Sequence, residues 1–244
     1  MQRMSVFVIS LAVLGLPACR GGTRSGGSGN FEQALAEAQP MFAKLAAVRD
    51  AVPRVVELQP TECPKQEFQP VDGRPVFLLR LPWNTLVRAS GGDESLQTDV
   101  SRDFTGFAAS SFSRITGLYG PNKEAYQYPN PATLREAMEE LERHRFAAVL
   151  HPTRVQHGVF QGGKFEPGFA EGWIVIVRLA DAQVVCQAPV RAENGSAVSF
   201  RQAGGGGSVE GWVEGGKAAI KQDLEKRTVE AVDRAIQGMT GGAR

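Results

Sequence analysis

Apolar residues recur at the helical period from the start of the structured chain: Phe31, Leu35, Ala38, Phe42, Leu45 and Val48 fall three or four apart. Pro40 interrupts this run and predicts a kink, or a restart with proline in the first turn, and Pro53 ends it. Residues 54–75 are punctuated by prolines and predict irregular chain. Val76–Leu81, apolar except for Arg80, predicts a buried strand that Pro82 stops. Residues 83–128 are hard to read; Ser101–Leu118 is expected to be helical, with Phe104, Phe107, Ala108, Phe112 and Ile115 on one face. A further helix is predicted from an Asn130 cap and a first-turn Pro131, with Leu134, Met138 and Leu141 as its stripe as far as about Arg145.

The second half reads differently. Phe146–Leu150 is apolar at every position, which predicts a strand covered on both faces. Gly172–Leu179 and Val184–Ala192, joined by Ala180-Asp181-Ala182-Gln183, predict a hairpin with Val184, Cys186, Ala188 and Val190 inward. Lys217–Ile236 is expected to form a last helix, burying Ile220, Leu224, Thr228, Ala231, Val232 and Ala235. Opposite charges four apart support the wet helix faces: Glu139→Arg143, Asp223→Arg227 and Glu230→Arg234. This order predicts an α+β fold, a mixed, largely antiparallel sheet with helices packed on it, in a single domain over residues 31–240. Arg20–Asn30, rich in Gly and Ser, reads as a flexible tether, and Gly204–Gly207 as a mobile excursion. No internal repeat supports a solenoid or propeller.

Ahead of the tether, Arg3 precedes an apolar run from Val6 to Leu16 that is too short to span a bilayer, which takes about 20 residues. It has the proportions of a secretory leader. The run ends in Leu16-Pro17-Ala18-Cys19, which resembles the lipobox of bacterial lipoproteins, with Pro17 an unusual residue for its place. The resemblance implies a signal peptide over residues 1–18, diacylglycerol and palmitate-type acyl groups on Cys19, and a linker over 19–30. Arg20 follows where an Asp would favour inner-membrane retention, so the expected site is the outer membrane, with the domain facing periplasm or cell surface.

Removing Cys19 leaves two cysteines, Cys63 and Cys186, and an oxidising envelope compartment makes them a disulfide candidate contributing about 2–4 kcal/mol. The 27 basic and 26 acidic side chains form no basic block, so neither nucleic acid nor anionic lipid is an expected electrostatic partner. Membrane contact is expected through the lipid anchor alone.

Candidate chemistry is sparse. Gly211-Trp-Val-Glu-Gly-Gly216-Lys217-Ala218 has the spacing of a phosphate-binding loop, but Ala218 replaces the magnesium-holding hydroxyl and no strand precedes it. It is read as a loop feeding a helix, with no nucleotide. His151 and His157 share a strand face only if Pro152 leaves the strand straight; His144 is expected on an exposed helix face, and no zinc ligand set appears. No nucleophile elbow or S-x-x-K is present, and Asp93/Glu94 and Glu139/Glu140 read as surface charge. Asn194-Gly195-Ser196 is a chance match to a glycosylation acceptor. Tyr119, Tyr126 and Tyr128, and Phe160, Phe165 and Phe169, are aromatic residues on Gly- or Pro-rich segments; Tyr126, Tyr128, Phe165 and Phe169 are candidate ligand or partner contacts. The expected function is a lipid-anchored, non-catalytic adaptor, scaffold or assembly factor with an envelope protein partner and no cofactor. A small-molecule, lipid or glycan binding domain and a hydrolase are the alternatives.

Overall fold

The computed structural model describes residues 28–74, 76–92, 131–161, 164–196, 198 and 209–242. The first amphipathic run folds as two helices, α1 (Ser28–Glu37) and α2 (Gln39–Ala51), with Pro40 opening the second as expected. α1 begins at Ser28, so the last three residues of the anticipated tether form its first turn. Ala34, Ala38, Met41, Phe42, Leu45 and Val48 make one buried stripe across both helices. The proline-rich stretch that follows carries two short 3-10 turns, Val55–Glu57 and Lys65–Phe68.

β1 (Leu78–Pro82) runs directly into α3 (Trp83–Ala89), and α4 (Pro131–Arg143) precedes β2 (Phe146–Gln156). β2 then leads through a small ribbon, β3 (Val159–Gln161) and β4 (Lys164–Glu166), into β5 (Phe169–Arg178). β6 (Gln183–Glu193) and the long α5 (Val209–Thr240) complete the chain. The main sheet has the order β1-β2-β5-β6, with β1 parallel to β2 and the other two pairings antiparallel.

Helices cover both faces of this sheet, which is why β2 is apolar at consecutive positions. Ala147, Val149, Val175 and Val177 pack with α1–α4, whereas Phe146, Ala148, Leu150, Ile174 and Ile176 pack beneath α5. The result is an α+β fold in one domain, with a mixed, largely antiparallel sheet between two helical layers.

Four local expectations are corrected. Val184 does not share a face with Cys186 and Val190. The pairing slips between Ile176↔Cys186 and Val177↔Val184, and the extra residue turns Val184 toward the α1–α4 core. Gly211–Ala218 is helical as part of α5, so its backbone cannot wrap a phosphate. His144 lies just past α4, half-buried, with Nδ1 donating to the Glu140 carbonyl oxygen at 2.6 Å, where it satisfies an end-of-helix acceptor. Within the glycine-rich stretch after β2, Val159–Gln161 and Lys164–Glu166 pair as a ribbon, so these residues do not form an open loop. The helix expected over 101–118, the Asn130 cap, Gly204–Gly207 and the leader with Cys19 lie outside the described residues.

The predicted hairpin turn is present, and Ala182 adopts a left-handed conformation at φ 55° to close it. Asp181 supports the turn by accepting the Gln183 N–H and a bond from Arg178. Among the described residues, no helix is long and apolar enough to cross a membrane.

Candidate functional site

Of the expected aromatic contacts, Phe165 and Phe169 lie at the end of the sheet where β2 finishes and β5 begins. A glycine pinch builds this end. Gly158 and Gly168 face each other so closely that a Cβ on Gly168 would collide with the Gly158 N and Gln156 O atoms. Beyond the pinch, the β2–β5 pair continues as the β3–β4 ribbon in the register Val159↔Glu166, Phe160↔Phe165 and Gln161↔Lys164. Phe160 and Phe165 therefore share one ribbon face, with ring centroids 5.2 Å apart. Phe160 is 60 % exposed and Val159 47 %, whereas Phe165 is half-buried.

Phe169 sits below the pinch with two guanidinium groups over its ring, those of Arg154 and Arg191, each 4.8 Å from its centre. Cations over an aromatic face are held by the ring quadrupole. Arg191 is also ion-paired with Glu171 and with Glu193, which holds its pKa above the usual arginine value, the Glu193 hydrogen bond contributing most. The end of the sheet thus carries an aromatic ring under two cations and, beyond it, a ribbon that exposes Val159 and Phe160.

Asn194 fastens this end to α5. Its Oδ1 accepts the Gly168 N–H at 3.0 Å, and its Nδ2 donates to the Ile220 carbonyl at 2.9 Å and to Asp223 at 3.0 Å. Burial alone would raise the Asp223 pKa. Bonds from Asn194, the Gly195 N–H and Arg227 more than offset it and leave the carboxyl below its usual range. Asn194 is buried with both ends of its amide engaged, so it is closed to glycosylation.

The other expected residues fall elsewhere. Cys63 and Cys186 come together, with Cα atoms 5.0 Å apart across a sequence separation of 123, in keeping with a disulfide. Tyr126 and Tyr128 are outside the described residues. A groove of about 590 Å³ lies beside the cysteine pair, lined in part by Pro60, Glu62, Lys65, Ala188 and Met239; Phe160, Phe165 and Phe169 do not line it. Among the described residues, no group of three or more His, Cys, Asp or Glu side chains is placed to hold a metal.

His151 and His157 part company because the β2 pairing shifts between Pro152 and Arg154. His157 is exposed, while His151 is buried and stacks on Trp83 at 4.7 Å, with Trp173 as its cross-strand neighbour. Its Nδ1 lies 3.3 Å from the Pro152 carbonyl oxygen. Burial pushes the imidazole pKa below its usual value, and the backbone bond opposes this only in part. The unfolded chain, with an ordinary value of about 6.5, therefore binds the proton more readily than the folded one. Stability from His151 is full above that value and is lost as pH falls toward the depressed pKa. Unfolding midpoints in urea are expected to drop between pH 8 and pH 5, and His151→Phe to flatten that slope while keeping a ring against Trp83. An undiminished slope in the variant would assign the titration to another group. Asp181 and Asp223, also lowered, act below about pH 4 and outside this window.

Sequence reasoning missed Arg154, Arg191 and the Trp83–His151 stack. Their partners lie on different strands or helices, and no local spacing marks them. No protein-family model, curated protein or solved structure matches the chain.

Proposed function

We propose that the protein is a lipid-anchored envelope lipoprotein, acylated at Cys19, whose domain acts as a non-catalytic adaptor for an envelope protein partner. The observation that carries this reading is the pairing of Cys63 with Cys186, because it is independent of the leader. A bridge joining distant parts of a chain fits an oxidising compartment outside the cytoplasm, the compartment to which Leu16-Pro17-Ala18-Cys19 would send it. Two or three acyl chains on one residue are enough for stable membrane association. The adaptor role is supported by the ribbon beyond the sheet, where Phe160 and Val159 are exposed together, since exposed aromatic and aliphatic side chains can anchor a partner.

Metabolic labelling with an alkyne fatty acid tests the anchor. Label is expected on the wild type and absent from Cys19→Ala; an unlabelled wild type overturns the reading. Phe160→Asp tests the adaptor role separately: it is expected to abolish co-purification of one defined envelope protein while leaving label and fold intact. Unchanged recovery of that partner would remove the ribbon from the adaptor proposal.

A further inference from the structure

The path of the chain around the β6 edge is what carries the inference. Leu58 is buried in the α1–α4 core and Phe68 in the α5 core, where its ring lies 4.8 Å from that of Phe146. To join these two anchors, residues 59–67 pass from one face of the sheet to the other around β6. Gln59, Pro60, Thr61, Glu62, Lys65 and Gln66 in this arc are exposed. The far end is fixed by the Glu67–Arg178 ion pair at 2.6 Å. Between the anchors the arc is joined to β6 at two places. The Thr61 N–H donates to the Gln187 carbonyl oxygen at 2.9 Å, and Thr61 Oγ1 accepts the Gln187 N–H at 2.9 Å. Two residues on, Cys63 meets Cys186.

Thr61 therefore occupies the outward-facing backbone groups of Gln187, as a neighbouring strand would. A bare edge is a hazard that sheet proteins cover or blunt. Pro189, which lacks an N–H, sits two residues further along the same edge. The cover is also imperfect: Gln187 buries its Oε1 with no hydrogen-bond partner among the described residues, so the closed arrangement holds an unsatisfied acceptor.

We propose that the Cys63–Cys186 bond is a redox latch holding this strap across the β6 edge. The groove opens on the Cys63 side, where Cys63 is half-buried, while Cys186 is fully buried. One thiolate of a dithiol reductant attacks Cys63 Sγ and forms a mixed disulfide. The Cys63–Cys186 bond breaks, and Cys186 leaves and takes up a proton. The second thiol of the reductant then resolves the mixed disulfide, freeing Cys63 as a thiol. The bridge gains two electrons and two protons, and the dithiol becomes a disulfide. Between Leu58 and the Glu67–Arg178 ion pair, the arc then keeps, among the described residues, the Thr61 hydrogen bonds to β6, and it opens about Leu58 and Phe68 without unfolding the sheet. The latch is independent of acylation at Cys19.

Hydrogen exchange on the whole native protein, oxidised and after dithiothreitol, tests it, with iodoacetamide mass tagging to count free thiols. Both thiols are expected to become free under native conditions. At labelling times short against global unfolding, peptides containing Thr61 and Gln187 are expected to exchange at least about tenfold faster, while those from β2 and α4 remain unexchanged. Three results would overturn the proposal: unchanged exchange at Thr61 and Gln187, an equal rise over every strand, or a bridge that reduces only after denaturation.

Discussion

Gly168→Ala is expected to destabilise the domain by about 3 kcal/mol, the top of the range for forcing extra atoms into packed structure. The new methyl would meet Gln156 O and Gly158 N and lie 2.7 Å from the His157 carbonyl carbon. These are backbone atoms of the adjoining chain, so no side chain can swing aside to make room. Relief would require β2 and β5 to separate where they give rise to the ribbon, and it would pull Gly168 from Asn194, which holds both its N–H and its C=O. Gly158→Ala is expected to be milder, because its nearest contacts, Asn194 Oδ1 and Gly168 N, lie at 2.9 Å. Gly238→Ala gives the opposite sign: nothing lies within 4 Å of the added atom, and alanine in a helix interior is favoured by up to about 1 kcal/mol. Urea unfolding of the three variants beside the wild type checks the series. A Gly168→Ala midpoint equal to wild type would mean that the strands part there at little cost.

The same region shows what a sequence can and cannot disclose about this fold. Phe146–Leu150 announced a central strand because burial on both faces leaves no polar position, and the Leu35–Val48 stripe survived the Pro40 break because proline suits a first turn. α3 was hidden: seven residues give too little period, and Trp83, Asn84, Leu86, Val87 and Ala89 are all buried, so no wet face marks it. The glycines at 211, 215 and 216 argued for a loop, yet α5 runs through them, tertiary packing along the helix outweighing weak local propensity. The direction of Val184 depended on a bulge that no pattern of period two encodes. At the candidate site, Phe165 and Phe169 were legible as aromatics on a glycine-rich segment. The guanidiniums over Phe169 come from β2 and β6, and only the sheet register unites them.

Replacing both bridge cysteines, Cys63→Ala with Cys186→Ala, is expected to cost about 2–5 kcal/mol of global stability. Most of that cost arises in the unfolded chain. A cross-link over 123 residues removes loop-closure freedom from the denatured ensemble, and for a loop of about 100 residues the chain-entropy estimate is about 4.7 kcal/mol. The native state loses less, because alanine suits the fully buried, apolar surroundings of Cys186 and leaves no polar group unpaired there. The loss should therefore appear as a lower urea midpoint for the variant, matched by the reduced wild type. The folded domain should keep the α1–α4 and α5 cores, neither of which needs the bridge to bury its stripe. A midpoint unchanged by either treatment would show that the thiols are not joined in the folded protein. A loss well beyond the loop term would mean that the arc from Leu58 to Phe68 is needed to hold the two helical layers on one sheet.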